Sequence, residues 1–464
     1  MNKNQFILRL LSVCVSVLCF FGCGSDGSEK EVQLVAPRLT GSTLPDGSVE
    51  VVPPKTTIVL TFDQNVNTPA SYHSLVSIKE GGVVEKITSD LKNATITLNG
   101  LEKGRQYELI IPKGVIFGPT KVSVEEIRIS FKTQSVDESK PLDLSLCTEN
   151  PMSQTKKVYD YLLEIYGKKV LSGSMANVNW NIAEAELVYQ ATGKYPAIAF
   201  FDYIHLFASG ENSWIDYSKT QVVEDWWNNG GLIGAGWHWN VPVSENSDKV
   251  TYRPEETDFR TENATIEGTW ENKVVQADLL KISGYIKLLQ VKQIPVIWRP
   301  LHEAAGNIYE FNGGKAWFWW GAAGAEAYRK LWIYMFEYLK KEGINNLIWV
   351  WTTQGHDDAF YPGDEYVDII GRDIYDQKNG IKIADQYQSI ASDYSQKLVA
   401  LSECGSVAKI SEQWNADARW SFFMPWYQYN AETLENHEHA DAEWWKDAML
   451  QEYVITRADL PSMK

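Results

Sequence analysis

The sequence predicts an α/β fold, a (β/α)8 barrel, preceded by a small all-β sandwich. Three observations carry this. After Pro151, short apolar runs alternate with amphipathic helical stretches, and eight such units fill roughly 310 residues, the usual order of size for this barrel. Before residue 135, the chain offers only short β-rich segments broken by turn residues. The two parts also differ in composition, since all 19 Trp residues lie at or beyond Trp180. Tryptophan is a favoured surface for stacking on the apolar faces of sugar rings, so any carbohydrate site belongs to the second part.

The first 22 residues carry Lys3 and Arg9 ahead of the apolar run LLSVCVSVLCFFG and read as a signal peptide, too short to span a bilayer. FFGC, ending at Cys23, resembles a bacterial lipobox in which that cysteine is lipid-modified, with Cys19 the weaker alternative. Residues 23–34 form a short acidic tether resembling the export signal of Bacteroidetes-type surface lipoproteins. The expected location is therefore the bacterial outer membrane, surface-exposed, with membrane contact through the lipid anchor alone.

Residues 35–134 follow as the sandwich. Thr56–Phe62, Thr95–Leu98, Tyr107–Ile111 and Ile127–Phe131 read as strands, punctuated by Asp46-Gly47, Pro53-Pro54, Gly81-Gly82 and Asn99-Gly100. The phrases LTFDQNV (60–66) and LEKGRQYELIIPKGVI (101–116) resemble bacterial Ig-like domains. Without Trp, the domain is expected to be a spacer. Residues 135–150 are expected to be a linker, and 151–464 the catalytic domain.

The barrel strands are expected at 169–172, 197–203, 232–239, 295–301, 347–352, 367–375, 398–403 and 422–426. Barrel chemistry sits at the C-terminal strand ends. There the sequence places His238, then Arg299, His302 and Glu303, then Asp373 and Tyr375, then Glu403, and finally Trp426. Side-chain alternation puts Arg299, Leu301 and Glu303 on one face, and Val399, Leu401 and Glu403 on another. Two carboxylates on different strands of one mouth are what glycoside hydrolysis needs.

Composition narrows the partners. Hydrophobic residues at 44% and charged ones at 22% are ordinary for a globular protein. A net charge of −17 opposes nucleic acid and anionic membrane surfaces, whereas a neutral polymer fits. Cys147 and Cys404 read as single thiols, and no metal-ligand spacing is present.

The segments YPAIAFFDY, GWHWN, RPLHE, WFWWG, YPGDEYVDIIG, DIY and SECG, in that order, resemble glycoside hydrolase family 26 across most of residues 151–464. The resemblance implies a retaining endo-β-1,4-mannanase acting on mannan, galactomannan or glucomannan, a monomer without cofactor or metal. It implies that Glu303 is the acid/base, Glu403 the nucleophile and Tyr375 a donor to Glu403. His302 and Asp373 would contact substrate, His238 and Arg299 would support the carboxylates, and Trp317 and Trp426 would be aromatic walls. Alternatives are the same mechanism on mixed-linkage β-1,3-1,4-glucan, or a non-catalytic lipoprotein that captures polysaccharide. The loop AAGNIYEFNGGKA (304–316) exceeds the few residues found in some members, a length that would reshape the subsites there. Asn436-His437-Glu438-His439 reads as a solvated helix face, and His356-Asp357-Asp358 as a loop or a distal subsite. Trp214, Trp226 and Trp227 are open between core and distant sugar platforms.

Overall fold

The computed structural model describes residues 35–51, 56–102, 104–133, 141–177, 179–310 and 313–464. The signal peptide, Cys23, the tether and residues 135–140 of the linker lie outside the described residues. The chain divides into two compact units between Val136 and Asp137.

The first unit is a sandwich of two four-stranded sheets. One sheet runs, in spatial order, Leu39–Ser42, Thr56–Phe62, Asn93–Asn99 and Val83–Asp90. The other runs Ser48–Val51, Ile127–Thr133, Gln106–Ile111 and Ser77–Lys79. Alternation decides which side chains face inward: Ile58, Leu60 and Phe62 from one strand meet Ile96 and Leu98 from the next, all buried. Tyr107 stacks on Phe131 at 5.5 Å between ring centres. The four long-patterned strands fall where the sequence predicts them. The other four are short or largely polar, so their alternation is faint.

In the second unit eight parallel strands close into a barrel. They are Val170–Met175, Ile198–Asp202, Leu232–Trp237, Val296–Pro300, Leu347–Thr353, Ile369–Tyr375, Leu398–Gly405 and Phe422–Pro425. The first pairs with both the second and the eighth, which removes every free edge. Strand residues are buried almost throughout, as expected where the interior is filled and helices cover the outside. Gly234 lets Phe200 from strand two fill the interior, since a Cβ there would overlap the phenyl ring.

Two expectations fail in the periphery. The connection after strand five holds only the short turns Asp358–Phe360 and Asp364–Tyr366 instead of an α-helix. Gly355, Pro362 and Gly363 interrupt any helical pattern there. Residues 141–150 are not a free linker but a strap on the barrel. Cys147 N donates to Asp368 Oδ1 (2.7 Å), Thr148 Oγ1 to the Leu347 carbonyl (2.9 Å) and Asp143 N to the Gln396 carbonyl (2.8 Å). The helix Ser153–Ile165 then packs beside strand five.

Candidate active site

Strand four stops at Pro300, and the chain turns outward through Leu301 (φ 49°) and Glu303 (φ 51°). Both are non-glycine residues in the left-handed region, a conformation that survives only where surroundings over-determine it. Here the Leu301 carbonyl accepts from Tyr328 OH (3.0 Å) and the His302 carbonyl from Trp320 Nε1 (2.8 Å). The backbone turn aims Glu303, so strict alternation from Arg299 to Glu303 does not hold. Alternation is also broken on strand seven. Arg372 pairs with Leu401 but Asp373 pairs with Glu403, leaving Ser402 as a bulge. The Ser402 hydroxyl donates to Asp373 Oδ1 (2.7 Å), and Gly371 leaves the space that Ser402 occupies.

These turns bring Glu303 and Glu403 to a cavity of about 800 Å³ at the C-terminal end of the barrel. His238, His302, Trp317, Asp373, Tyr375 and Trp426 line it too, so every expected mouth residue except Arg299 reaches the cavity. Arg299 lies beneath, 3% exposed, ion-paired to Asp373 Oδ2 and to Glu403 Oε2 (3.0 Å), with Thr352 Oγ1 accepting from its Nε (3.1 Å). The expectation that Asp373 contacts substrate meets a different geometry. Its side chain has no exposure and both oxygens are engaged, so it fastens Arg299 in place.

The two glutamates sit in opposite environments. Tyr375 OH donates to Glu403 Oε1 (2.6 Å) while Arg299 faces Oε2, so a hydrogen-bond donor and a cation both point at this carboxyl. Oε2 makes no hydrogen bond beyond the ion pair. Burial and the Glu403 charge keep the proton on Tyr375. Glu303, by contrast, is pushed well above the ordinary carboxylate range, first by burial and then by the charges of Asp373 and Glu403. Arg299 and the amide of Gln354 oppose this and lose. Burial also lifts Asp373 to about 6 against the pull of Arg299. One carboxyl is thus arranged to carry a proton and the other to accept hydrogen bonds.

A second network supports the histidines. His238 Nδ1 hydrogen-bonds Asp202 Oδ2, and its backbone N–H donates to Oδ1 (3.1 Å). His238 Nε2 meets His302 Nε2 at 3.1 Å. Burial draws His238 down, but the Asp202 carboxylate more than offsets it and the net shift is upward. His302 moves well down, through burial, Arg299 and His238, and stays neutral. Asp202 was not singled out in the sequence, although the signal was present: an acidic residue closing the otherwise apolar strand IAFFD. Gln354 and Ser402 were missed likewise.

The aromatic cluster after Glu303 divides by role. Trp319 and Trp320 are fully buried and act as braces, Trp319 Nε1 donating to the Trp239 carbonyl (2.6 Å). Trp317 is exposed, at the cavity wall. Asp357 is buried and caps the turn after strand five, accepting from Gln354 N (2.8 Å), while His356 and Asp358 beside it are exposed. The Asn436–His439 stretch is not a helix face. It lies in turns before Ala442–Leu450, with His437 buried against Glu184 (3.1 Å), whose Oε1 accepts from Gln428 N (3.0 Å). Trp226 and Trp227 are core, whereas Trp214 is exposed.

Comparison with known proteins agrees with this geometry. The family model described as glycosyl hydrolase family 26 matches residues 147–457, and the model described as a bacterial Ig-like domain matches residues 34–133. Among curated proteins, mannan endo-1,4-β-mannosidase A of a Piromyces species is 35% identical over 336 residues, 70% of this chain and 52% of its own length. The chain thus spans about half the length of that relative. Among solved structures, the family 26 domain of a Prevotella bryantii endo-β-mannanase/endo-β-glucanase is 39% identical with a TM-score of 0.64, covering 68% of this chain and 99% of that one. The β-mannanase from a symbiotic protist of the termite Reticulitermes speratus, solved with a gluco-manno-oligosaccharide, is 32% identical with a TM-score of 0.61 and covers 70% and 100%. A barrel mouth with two glutamates in opposed environments, matched by one family model across two thirds of the chain, places this protein in glycosyl hydrolase family 26.

Proposed function

We propose that the chain is a retaining endo-β-1,4-mannanase acting on mannan, galactomannan or glucomannan. The observation that carries the reading is the split between Glu403, held by Tyr375 and Arg299, and Glu303, raised by burial and neighbouring carboxylates. In the first step Glu403 attacks the anomeric carbon while Glu303 gives its proton to the departing sugar oxygen, leaving a glycosyl-enzyme. Glu303, now ionised, takes a proton from water, which attacks the same carbon and restores the β configuration. Arg299 stays paired with Asp373 throughout, so the guanidinium need not move as the Glu403 charge is consumed. Mannan as substrate is supported by the names of the relatives above.

The test is product analysis on linear β-1,4-mannan, galactomannan and mixed-linkage β-glucan. Short mannooligosaccharides of mixed length from linear mannan are expected. Release from the glucan alone would move the substrate and leave the mechanism, and no release with retained binding would favour a capture protein.

A pH dependence follows from the same geometry. Glu303 must be protonated to act, so turnover falls as pH rises through its raised pKa, well above the ordinary 4.5. Asp373→Asn removes a charge that raises Glu303 and is expected to move this basic limb to lower pH. An unmoved limb would assign it to another group.

We also propose lipid anchorage at Cys23 in the outer membrane, supported by the signal-like residues before it. A Cys23→Ala form that stays in the membrane fraction would rule this out.

A further inference from the structure

The connection between barrel strand two and the helix Gln221–Asn228 leaves two large aromatic rings in water. Trp214 is 64% exposed and Phe207 48%, while Trp226 and Trp227, in the helix that follows, are buried. Exposed rings are ordinary on a floppy loop; these are not on one. The Leu206 carbonyl accepts from Lys281 Nζ (2.6 Å) and the Ile204 carbonyl from Asn240 Nδ2 (2.8 Å). Ser209 Oγ donates to Tyr285 OH (3.0 Å) and accepts from Tyr217 N (3.0 Å). His205 braces both rings, edge-on at 4.5 Å from Trp214 and 6.3 Å from Phe207. Burial draws the His205 pKa down, so the brace is uncharged near neutrality. Between the rings lie the exposed polar residues Glu211, Asn212 and Ser213. The pattern is apolar faces interleaved with hydrogen-bonding groups, not a contiguous apolar patch of the kind that covers a protein partner.

The segment is continuous with the active site. Tyr217 OH donates to the carbonyl of Asp202 (3.1 Å) and accepts from His205 N (3.0 Å), and the Asp202 carboxylate holds His238 in the cavity wall. Both rings therefore stand at the end of the barrel where the cavity opens. We propose that Trp214 and Phe207 form a platform for sugar units of the same β-1,4-linked chain, remote from the cleavage point. This rests on the mannanase reading and deepens it. A rigid platform engages long chains without ordering a loop, so its contribution appears as affinity for polymer rather than as turnover of short oligosaccharides.

The test compares the full-length protein with W214A, F207A and the double variant on linear β-1,4-mannan and on mannotetraose. Both rings are solvent-facing, so the fold should survive; unchanged circular dichroism and melting temperature check it. The expected result is a fall of about tenfold in kcat/KM on the polymer for the double variant, equal to about 1.4 kcal/mol. It should be carried by KM, with mannotetraose hydrolysis within about twofold of the parent. Equal losses on both substrates, or no loss on the polymer, overturn the platform and leave the mannanase reading intact. A parent protein inert on both mannan substrates overturns the mannanase reading and the platform with it.

Discussion

Replacing Glu403 with glutamine is expected to lower mannan turnover by roughly 10⁴-fold or more, on the order of 5.5 kcal/mol of barrier, with the fold retained. In the proposed mechanism the lost carboxylate is not compensated elsewhere in the cavity, because the remaining carboxylates are committed. Asp373 is bound to Arg299 and Ser402, and Glu303 is arranged to be protonated. The fold should survive because Arg299 keeps Asp373 and Thr352 as partners and Tyr375 keeps an acceptor. Shortening to Glu403→Ala opens room beside Tyr375, and added azide should then yield the α-glycosyl azide, attacking once from the vacated side. With Glu303→Ala, azide should intercept the glycosyl-enzyme and give the β-product instead. Mass and anomeric configuration of the azide adducts, read by NMR, decide the assignment. A β-azide from the Glu403 variant would exchange the two roles.

Arg299→Met should cost stability as well as activity. Removing one partner from a buried ion pair leaves uncompensated charge and typically costs about 3–5 kcal/mol. Here two carboxylates, Asp373 and Glu403, lose the same cation. A fall in melting temperature of roughly 5–15 °C is expected at this domain size. The sign with pH is definite. Without Arg299 the pKa of Asp373, already near 6, rises further in the folded state. Protonation then relieves the repulsion, so the deficit should be smaller at pH 5 than at pH 8. A deficit independent of pH would mean that lost packing, not stranded charge, is the cause.

The barrel and the two glutamates at its mouth were legible because both are written in strong patterns. Strand cores such as LIWVWTT and LVALSECG are apolar nearly throughout, which buried parallel strands require. What alternation could not carry was the backbone at the strand ends. The Ser402 bulge depends on a hydrogen bond to Asp373, and the left-handed pair at Leu301 and Glu303 on hydrogen bonds from Trp320 and Tyr328, partners 18 to 29 residues away in sequence. Asp202 was invisible as a partner for the same reason, 36 residues from the histidine it holds. His437 misled in the other direction. A polar run reads as solvated until a buried acid from the distant helix Ala183–Thr192, Glu184, is known to face it.

The strap at residues 141–150 bears on where this protein can be cut. A catalytic fragment begun at residue 151, as sequence patterning invites, would discard the backbone donor from Cys147 to Asp368 and the Thr148 bond to strand five. Asp368 is completely enclosed and already lifted to about 6 by burial; it would keep Trp349 N as a donor and lose the other. Phe336 and Trp349, which border the groove beside Thr148, would gain exposure on the far side of the barrel from the cavity lined by Glu303 and Glu403. A fragment begun at Asp137 retains all of this. The functional border of the enzyme is therefore set by ten unstructured-looking residues that belong, energetically, to the barrel floor.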